Sequence, residues 1–519
     1  MPMIKSMLLL LLLLLCTSAA QAKVKIPAVF GTNAILQRGV PVKVWGWSEP
    51  NANIEGTLQG PNSFEHEKIV AKADKLGKYN LVFKPKEAGG PYTLSVSDEK
   101  DKAQSTNLYF GEVWLCSGQS NFLTSLTEEK LLDDATKEGF SPTIRFFAPE
   151  PHLNTTPEYD NDTKWQALNE KTAPDTSALA FYFSNKLQKT LNVPVGLLLC
   201  AAPGAKVQSL SRMQGLRAFR EGRAALADFN TNFPEAGASP EKLDFPHEVH
   251  RILIEGGGGE KSKEDMEKVK GRSYLLFKSA TSIYNTMIAP VAGFPIKGVL
   301  WYQGETNMRE PATYLSFFTG LVQDWRNVWE IPKLPFLFVQ MPPFGERGSA
   351  PNLYSVGAIF RNIQSKTGLY PYTFMVPAID SCNNQKNPNF HASNKKLLGA
   401  RLCNAALATQ YGKPAVYRSP KVEECRLEDN KVRVTFKYIG KGLKVNGTSL
   451  KGFAIAGGDK KLHWAQAKLD GDSVLVWSPE VNAPKILTYG WDNNPEVNLF
   501  SLDSLPVEPF REELSVQKR

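Results

Sequence analysis

Two kinds of hydrophobic pattern divide the chain. In residues 23–108, apolar and polar positions alternate in short runs, such as 42–45, 79–83 and 91–96, and turn-forming residues separate the runs. Alternation with a period of two is typical of a strand that buries one face. About six runs at this spacing predict an N-terminal β-domain built as a small β-sandwich.

Residues 416–519 return to the same pattern. Alternating runs at 431–436 and 473–477 are separated by glycines, which predicts a second, C-terminal β-region that is also sandwich-like. In the N-terminal domain, Trp45 and Trp47 offer aromatic faces on which a sugar could stack. A tryptophan in a β-domain is more often part of the core, and we expect that role here.

The pattern differs in residues 109–415, where short apolar runs alternate with longer stretches of helical periodicity. This order predicts an α/β domain with a largely parallel sheet between two layers of helices. The predicted strands are 113–116, 195–200, 297–302, 335–340 and 373–379. The predicted helices are 178–188, 274–287, 314–328 and 394–411, and the spacing of apolar residues at 122–132 indicates a further helix.

The pattern of residues 211–270 predicts an insertion in this domain. They are rich in charge, contain one helix-like piece at 213–228 and include four consecutive glycines at 256–259. A loop of this length is usually a functional lid or disordered, and the residues leave both open. His247 and His250 have the spacing of a metal pair. Because the sequence suggests no third ligand, we expect a solvated loop and predict no metal site.

The N-terminus has the features of an export signal. Lys5 precedes an unbroken leucine run at 8–15, and Ala20-Gln21-Ala22 is a small-x-small cleavage signature. We expect cleavage after Ala22 and an exported protein, periplasmic or extracellular. Lipidation at Cys16 is disfavoured because three leucines precede it where a lipoprotein signal has small residues. No later apolar run is long enough to span a membrane.

The amino-acid composition argues against several functional classes. The chain has 519 residues, 42% hydrophobic and 22% charged, with a formal net charge of +9, as in a soluble multidomain protein. The positive charge forms no basic tract, so nucleic-acid binding is not expected. Five cysteines follow the signal, an odd number without a C-x-x-C pair, which disfavours zinc sites and a dense disulfide framework. One disulfide bridge and the oligomeric state remain open.

A serine on a tight turn is the first candidate for chemistry. The apolar run 113–116 ends in a turn of small and polar residues that contains Ser120. A serine between a strand and a helix is exposed at the edge of a sheet, next to backbone N–H groups that can stabilise an oxyanion. Gly204, Gln303 and Asp380 also follow predicted strands. Because active sites of parallel sheets lie at the carboxyl ends of strands, we expect these four residues to converge.

Three blocks of sequence resemble the sialate O-acetylesterase family, a branch of the SGNH hydrolases. Gly118-Gln119-Ser120-Asn121 resembles the nucleophile block of that family, and the segment 298–307 resembles its second signature. The third signature resembles 361–364, His391, Asn394-Lys395 and 399–402. Further similarity at both ends extends the resemblance over most of the chain except 211–270. It implies a three-layer α/β domain and hydrolysis of acetyl esters on sugars without a cofactor.

The resemblance implies a role for each candidate residue. Ser120 would be the nucleophile, with Ser117 as the rival, and His391 would be the base. The backbone N–H groups of Ser120 and Gly204 would bind the oxyanion together with one side-chain amide. For that amide we favour Gln303 over Asn307, with Asn121 assisting. Glu305 is expected to be a buried structural acid.

Two departures from the family pattern leave questions open. Relatives usually carry an aspartate shortly before the histidine, whereas this chain has Asn389. Either Asp380 supplies the acid, which is our prediction, or a backbone carbonyl near Pro388 supports a Ser-His dyad. Relatives also tend to have Gly-Gly-Thr followed by tryptophan where Pro203-Gly204-Ala205 and Leu210 stand. The resemblance favours an acetylated sialic acid as the substrate, and the altered residues leave a plant or algal polysaccharide as the alternative. The remaining alternative is an inactive homologue that binds glycans.

Overall fold

The computed structural model describes residues 23–62, 64–152, 154, 156–232, 279–382 and 388–514. Several sequence predictions lie outside the described residues: the signal peptide, the histidine pair at 247 and 250, the glycine run at 256–259 and the start of the helix predicted at 274–287. The chain divides into two compact units, Met1–Gly111 and Glu112–Arg519. Each unit is described by itself.

The first unit is built of strands. They are β1 Ile35–Gln37, β2 Val42–Trp47, β3 Asn53–Gln59, β4 His66–Lys72, β5 Lys78–Phe83, β6 Gly89–Ser97 and the first part of β7 Lys102–Gly118. Five of them form a sheet in the order β4-β3-β6-β7-β1, and β2 pairs with β5 in a second sheet. The pairs are antiparallel except for β1 with β7. The predicted alternating runs are therefore strands.

The inward face of this unit carries the alternating apolar residues. In β3, Ile54 and Leu58 are buried, and a Cβ built on Gly56 would lie 2.4 Å from the Leu81 side chain of β5. The absence of a side chain at Gly56 thus lets β3 and β5 approach each other closely. Trp45 is buried and its ring lies 4.6 Å from that of Phe30, which confirms a core role for this tryptophan.

The second unit is organised on a parallel sheet. The end of β7 pairs on one side with β10 Val195–Ala201 and on the other with β11 Gly298–Tyr302. The sheet continues through β12 Phe336–Val339 to β13 Thr373–Val376 beyond β11, and to β8 Ile144–Phe147 beyond β10. The short β9 Gln166–Ala167 is antiparallel to β8. All five predicted strands are present, and all are parallel.

The helices of this unit are α1 Ser120–Leu123, α2 Leu132–Glu138, α3 Ala178–Leu191, α4 Met213–Arg217, α5 Arg220–Asn232, α6 Pro311–Val328, α7 Val356–Thr367 and α8 Lys395–Gln410. Short 3₁₀ turns lie at Ala28–Phe30 in the first unit and at Val207–Leu210, Ala289–Val291 and Glu305–Asn307 here, and a π turn lies at Tyr284–Ile288. Helices α3 and α8 pack on each other and share a buried core with alternate residues of the strands. The ring of Trp301 lies 5.7 Å from Phe318 of α6, so α6 covers other strand residues.

One predicted helix is wrong. Apolar spacing indicated a helix over 122–132, but the chain forms a four-residue helix, a turn and a second helix. The turn is held from outside, because the Leu126 backbone N–H donates to the Thr176 carbonyl, and Lys130 has a positive φ of 58°. Tertiary hydrogen bonds outweigh local periodicity here. Helix α7 was not predicted.

The chain ends in antiparallel β structure. Its strands are β14 Lys421–Glu428, β15 Lys431–Lys437, β16 Leu443–Val445, β17 Phe453–Ala456, β18 Leu462–Trp464, β19 Gln466–Asp470, β20 Ser473–Trp477, β21 Ile486–Tyr489, β22 Leu499–Ser501 and β23 Phe510–Glu513. They form two four-stranded sheets and one two-stranded sheet. Most of their buried apolar residues make one core, and a smaller cluster lies on β17, β18 and β21. Within the described ranges, no helix has the length and apolar character needed to cross a membrane.

Candidate active site

Ser120 and His391 meet at the carboxyl ends of the parallel strands. Ser120 is the first residue of α1, directly after β7, and its Oγ lies 2.9 Å from Nε2 of His391. This is the contact that proton transfer from a serine hydroxyl to a histidine base requires. Both side chains are partly exposed to a cavity of about 720 Å³, so a substrate has access to the pair.

The turn before Ser120 depends on Gly118, whose φ is +137°. A Cβ at this position would lie 2.0 Å from the Tyr302 carbonyl oxygen of the neighbouring strand. Only glycine allows this approach, and it places the Gln119 N–H 3.0 Å from that carbonyl. The rival Ser117 is fully buried and donates its hydroxyl to the Cys200 carbonyl at 2.7 Å. The structure therefore places Ser120 in the cavity and Ser117 in the core.

Gly204 lies on the cavity wall, as the predicted oxyanion donor should. It follows β10 in a turn with a φ of +70°, and a Cβ at this position would meet no atom within 4 Å. The Gln303 side chain does not face the cavity. It is buried, and its Nε2 donates to the Ala205 carbonyl at 3.0 Å and to Oδ1 of Asn307 at 2.8 Å.

Asn307 is likewise buried. Its Oδ1 accepts the Val207 N–H at 3.0 Å, and its Nδ2 donates to Gln208 at 3.1 Å. Gln303 and Asn307 thus join the turn after β11 to the turn that contains Gly204. This arrangement corrects our expectation that one of these amides binds the oxyanion, because both amide nitrogens already donate to other groups in the protein.

Asp380 lies in a different place from the one predicted. Its carboxylate oxygens accept hydrogen bonds from Arg401 at 2.6 and 2.7 Å, and both side chains are buried. Among the described residues, none hydrogen-bonds Nδ1 of His391. The predicted contact between Asp380 and His391 is therefore replaced by a salt bridge between Asp380 and helix α8.

The two alternative partners for the His391 imidazole, Asn389 and the Pro388 carbonyl, also hydrogen-bond to other groups. Asn389 accepts the backbone N–H of His391 at 2.8 Å, so its side chain shapes the loop and does not touch the imidazole. The Pro388 carbonyl accepts the Gly345 N–H at 2.8 Å. In the described part of the chain, Ser120 and His391 are thus a pair without a hydrogen-bonded acid.

Asn121 has a more central role than the sequence indicated. It is fully buried beneath the nucleophile, and its Nδ2 donates to the Phe390 carbonyl at 2.7 Å while its Oδ1 accepts the Ala392 N–H at 3.1 Å. These two groups flank His391. Asn121 also donates to Oε1 of Glu305 at 2.5 Å. Its amide therefore holds the histidine loop and does not face the substrate.

Two ionisable groups lie close to the pair: Glu305, which is half-buried and lines the cavity, and Lys395, which is fully buried. Burial raises the pKa of Glu305, although Asn121 and Lys395 oppose the shift, and its Oε2 has no hydrogen-bond partner. Burial also lowers the pKa of Lys395 to about 8, against the opposing effect of Glu129 and Glu305. Sequence reasoning gave no role to Lys395. The available signal was a lysine in the first turn of a helix, where the helix dipole disfavours a cation.

The His391 imidazole is tuned toward its neutral form. Burial lowers its pKa, and the positive charge of Lys395 acts in the same direction, whereas Glu129 and Glu128 raise it. A neutral imidazole can accept the serine proton, which a protonated one cannot. The electrostatics of the site therefore favour His391 as a base.

The rest of the cavity wall carries charge. Lys206 is paired with Glu310 at 2.8 Å, while the exposed Arg309 makes no hydrogen bond or ion pair with any described residue. The ring of Phe390 stacks on Phe344 with centroids 4.7 Å apart. The described residues contain no group of three or more His, Cys, Asp or Glu side chains arranged to hold a metal ion.

Known proteins resemble this chain over most of its length. Residues 258–408, which include His391 and the Gln303–Asn307 turn, match the family described as carbohydrate esterase, sialic acid-specific acetylesterase. The sialate O-acetylesterase of Mus musculus is 24% identical over 91% of both chains, and that of Homo sapiens is 23% identical over 90% of this chain and 88% of its own. A carbohydrate acetylesterase from Xanthomonas citri has a similar structure, with a TM-score of 0.77, 29% identity and coverage of 94% of this chain and 99% of its own.

Proposed function

We propose that this chain, which carries the sialic acid-specific acetylesterase domain of the carbohydrate esterases, is a serine esterase that removes O-acetyl groups from sugars. The observation that carries the proposal is the 2.9 Å contact between Ser120 and His391 inside an accessible cavity. The domain match and the whole-chain similarity to sialate O-acetylesterases support the same reaction. The arrangement of helices around the parallel sheet supports an SGNH-type three-layer fold.

The reaction proceeds in two steps. Oγ of Ser120 attacks the acetyl carbonyl carbon while its proton passes to Nε2 of His391, and a tetrahedral oxyanion forms. The bond to the sugar oxygen then breaks, that oxygen takes the proton from His391, and the acetyl group stays on Ser120. In the second step His391 takes a proton from water, and the resulting hydroxide attacks the acetyl-enzyme. The bond to Ser120 breaks, Ser120 regains its proton from His391, and acetic acid leaves and ionises to acetate in solution.

The oxyanion needs hydrogen-bond donors in fixed positions. The Ser120 backbone N–H at the start of α1 is one candidate, and the N–H of Gly204 on the opposite wall is the other. Backbone donors cost no reorganisation during the reaction because the strands and turns already fix them. Removing a single donor of this kind costs about 10²–10³-fold in kcat in other hydrolases.

The charge of the cavity favours an acidic sugar as the substrate. The pKa of Glu305 is raised by burial, and Glu310 is neutralised by Lys206, so Arg309 is a cation left without a partner among the described residues. A guanidinium binds a carboxylate through parallel hydrogen bonds. We infer that Arg309 binds the carboxylate of an acetylated sialic acid, which favours this substrate over a neutral polysaccharide.

Acetate release tests the reaction and the substrate separately. Ser120→Ala should lower kcat on every acetyl ester by about 10³-fold or more. Arg309→Gln should raise KM for O-acetylated sialic acid by about 10- to 100-fold, since a hydrogen bond to a charged group is worth about 1.5–3 kcal/mol. It should leave p-nitrophenyl acetate and neutral acetylated sugars unchanged, as should Arg511→Gln, which lies outside the cavity wall. An inert wild type would overturn the esterase proposal, whereas an Arg309→Gln enzyme with an unchanged KM would overturn only the acidic substrate.

We also propose that the protein is exported. The support is the signal-like sequence of residues 1–22, which lies outside the described residues. Mass spectrometry of the protein from an exporting host should find Lys23 as the mature N-terminus. A diacylglyceryl group on Cys16 would overturn this proposal.

A further inference from the structure

Lys395 is a buried lysine next to the proposed site. It is the first residue of α8, four positions after His391, and its side chain has no exposed surface. Two general rules disfavour a cation here, because burying an ammonium is costly and the N-terminus of a helix carries partial positive charge. A residue that opposes local preference in this way is often held there by function.

The contacts of the ammonium group converge on Asn121. Nζ donates to the Asn121 backbone carbonyl at 2.9 Å and to Oδ1 of the same residue at 2.6 Å. It lies 5.4 Å from the centroid of the Tyr302 ring and 3.6 Å from Oε1 of Glu129. The cation thus fixes both the backbone and the side chain of the residue that follows the nucleophile.

Asn121 in turn holds the backbone that carries His391. Its amide bonds the Phe390 carbonyl and the Ala392 N–H, the two backbone groups on either side of His391. The imidazole itself has no hydrogen-bonded carboxylate among the described residues. Its position therefore depends on how firmly the backbone on both sides is held.

We propose that Lys395 is a positioning residue, which locks Asn121 and through it holds His391 in line with Ser120. The proposal rests on the serine esterase function proposed above. It assigns to a buried cation and an amide the orienting task that a carboxylate performs in a Ser-His-Asp triad. A displacement of about 1 Å in such an arrangement is enough to cost about 10²-fold in rate.

The effect of nearby charges on the pKa of His391 gives a second measurement. The charged groups that affect the pKa of His391 are Lys395 in α8 and Glu128 and Glu129 in the segment between α1 and α2. The groups that affect the pKa of Lys395 are Glu129, Glu305 and Cys382. Because the Lys395 charge lowers the pKa of His391, removing it should raise that pKa. The acidic limb of kcat/KM should then move to higher pH. The limb therefore reports the charge of Lys395, whereas kcat and the coupling to Asn121 report its positioning role.

The decisive comparison is Lys395→Met against Lys396→Met. Lys396 is the next residue of the same helix, but it is exposed and pairs with Asp134 and Glu138 at 2.8 and 2.9 Å. We expect Lys395→Met to lower kcat on p-nitrophenyl acetate by about 10- to 100-fold with KM little changed, and to shift the acidic limb upward. Lys396→Met should stay within about twofold of wild type, because exposed ion pairs contribute little.

Coupling to Asn121 completes the test. If Lys395 acts through Asn121, the effects of Lys395→Met and Asn121→Ala on kcat should be clearly less than multiplicative. Should circular dichroism show that Lys395→Met is unfolded, Lys395→Gln keeps a hydrogen-bond donor without the charge and should still shift the limb. A folded Lys395→Met variant with wild-type kcat would overturn the inference, whether or not the limb moves. Activity that survives Ser120→Ala would instead overturn the proposed function.

Discussion

Both carboxylate oxygens of Asp380 are hydrogen-bonded to the guanidinium of Arg401, at 2.6 and 2.7 Å. Arg401 also donates to the Pro377 carbonyl at 2.9 Å, so the pair ties the end of β13 to α8. Helix α8 begins at Lys395 and follows the His391 loop directly. The salt bridge thus anchors the elements that carry the base, without touching the base itself.

Asp380→Asn should therefore affect stability more than chemistry. Removing one partner of a buried ion pair leaves the other charge uncompensated, at a cost of about 3–5 kcal/mol in the free energy of unfolding. Thermal unfolding should show a lowered Tm, while kcat of the folded variant should stay within about threefold of wild type, a change under about 0.7 kcal/mol. Arg401→Gln is the matched control and should be similarly destabilised. An unchanged Tm with a kcat loss near 10³-fold would return Asp380 to the role of triad acid.

The two serines of the turn should respond in opposite ways. Ser120→Ala removes the nucleophile and should leave a folded protein with activity near background. Ser117→Ala removes only a buried hydrogen bond to Cys200, worth about 1 kcal/mol of stability, and should retain most of its kcat. Steady-state kinetics and denaturant unfolding of both variants separate these outcomes. Equal loss of activity in both would contradict the assignment of the nucleophile.

The pH dependence of activity should reflect the depressed pKa of His391. Burial and Lys395 move that pKa below the usual value of about 6.5, so the imidazole remains a free base into mildly acidic solution. The midpoint of the acidic limb in the pH profile of kcat/KM should therefore lie below pH 6.5.

Stability should change in the same pH window. The unfolded chain protonates His391 at higher pH than the folded chain, so this residue's contribution to stability is present above about pH 6.5 and is lost as pH falls toward the folded pKa. A pH profile of kcat/KM and an NMR titration of His391 would check both effects. A limb above pH 7 would contradict the electrostatic description of the site.

Gly118 should not tolerate a side chain. An alanine Cβ would overlap the Tyr302 carbonyl at 2.0 Å in addition to straining a positive φ, so we expect Gly118→Ala to be severely destabilised or inactive. Gly139 has a φ of +82° but open space around its Cβ position. Gly139→Ala should thus show the backbone strain alone, about 1–2 kcal/mol. A difference in Tm between the two variants measures the steric part, and equal Tm values would argue against the close contact of the strands.

The five cysteines that follow residue 22 should be free thiols. None of them is bridged in the structure, and Cys116, Cys200, Cys382 and Cys403 are buried while Cys425 is partly exposed. Burial raises the pKa of Cys403 and of Cys425 to about 12, which suppresses the reactive thiolate. Ellman's reagent without reductant should titrate five thiols in denaturant and few in the native protein. A count of three would reveal a disulfide bridge.

The sequence alone determined the features that depend on local pattern. The five strands of the parallel sheet and the helices α3, α6 and α8 follow from runs of buried residues and from helical periodicity, which neighbouring residues set. The pairing of Ser120 with His391 was also predictable. The resemblance named both residues, and the rule that loops meet at the carboxyl ends of parallel strands brings Ser120 to that edge.

Only the tertiary structure decided where side chains point. Asp380, Gln303 and Asn121 all lie at the predicted edge of the sheet, yet each is turned toward a partner that lies far away in sequence: Arg401, Ala205 and the backbone around His391. A buried polar group must satisfy its hydrogen bonds, and the available partner depends on which segments the fold brings together. For the same reason the segment 122–132, whose spacing fits a helix, is broken by a hydrogen bond to Thr176. Periodicity indicates which residues are buried, but long-range contacts decide what each one binds.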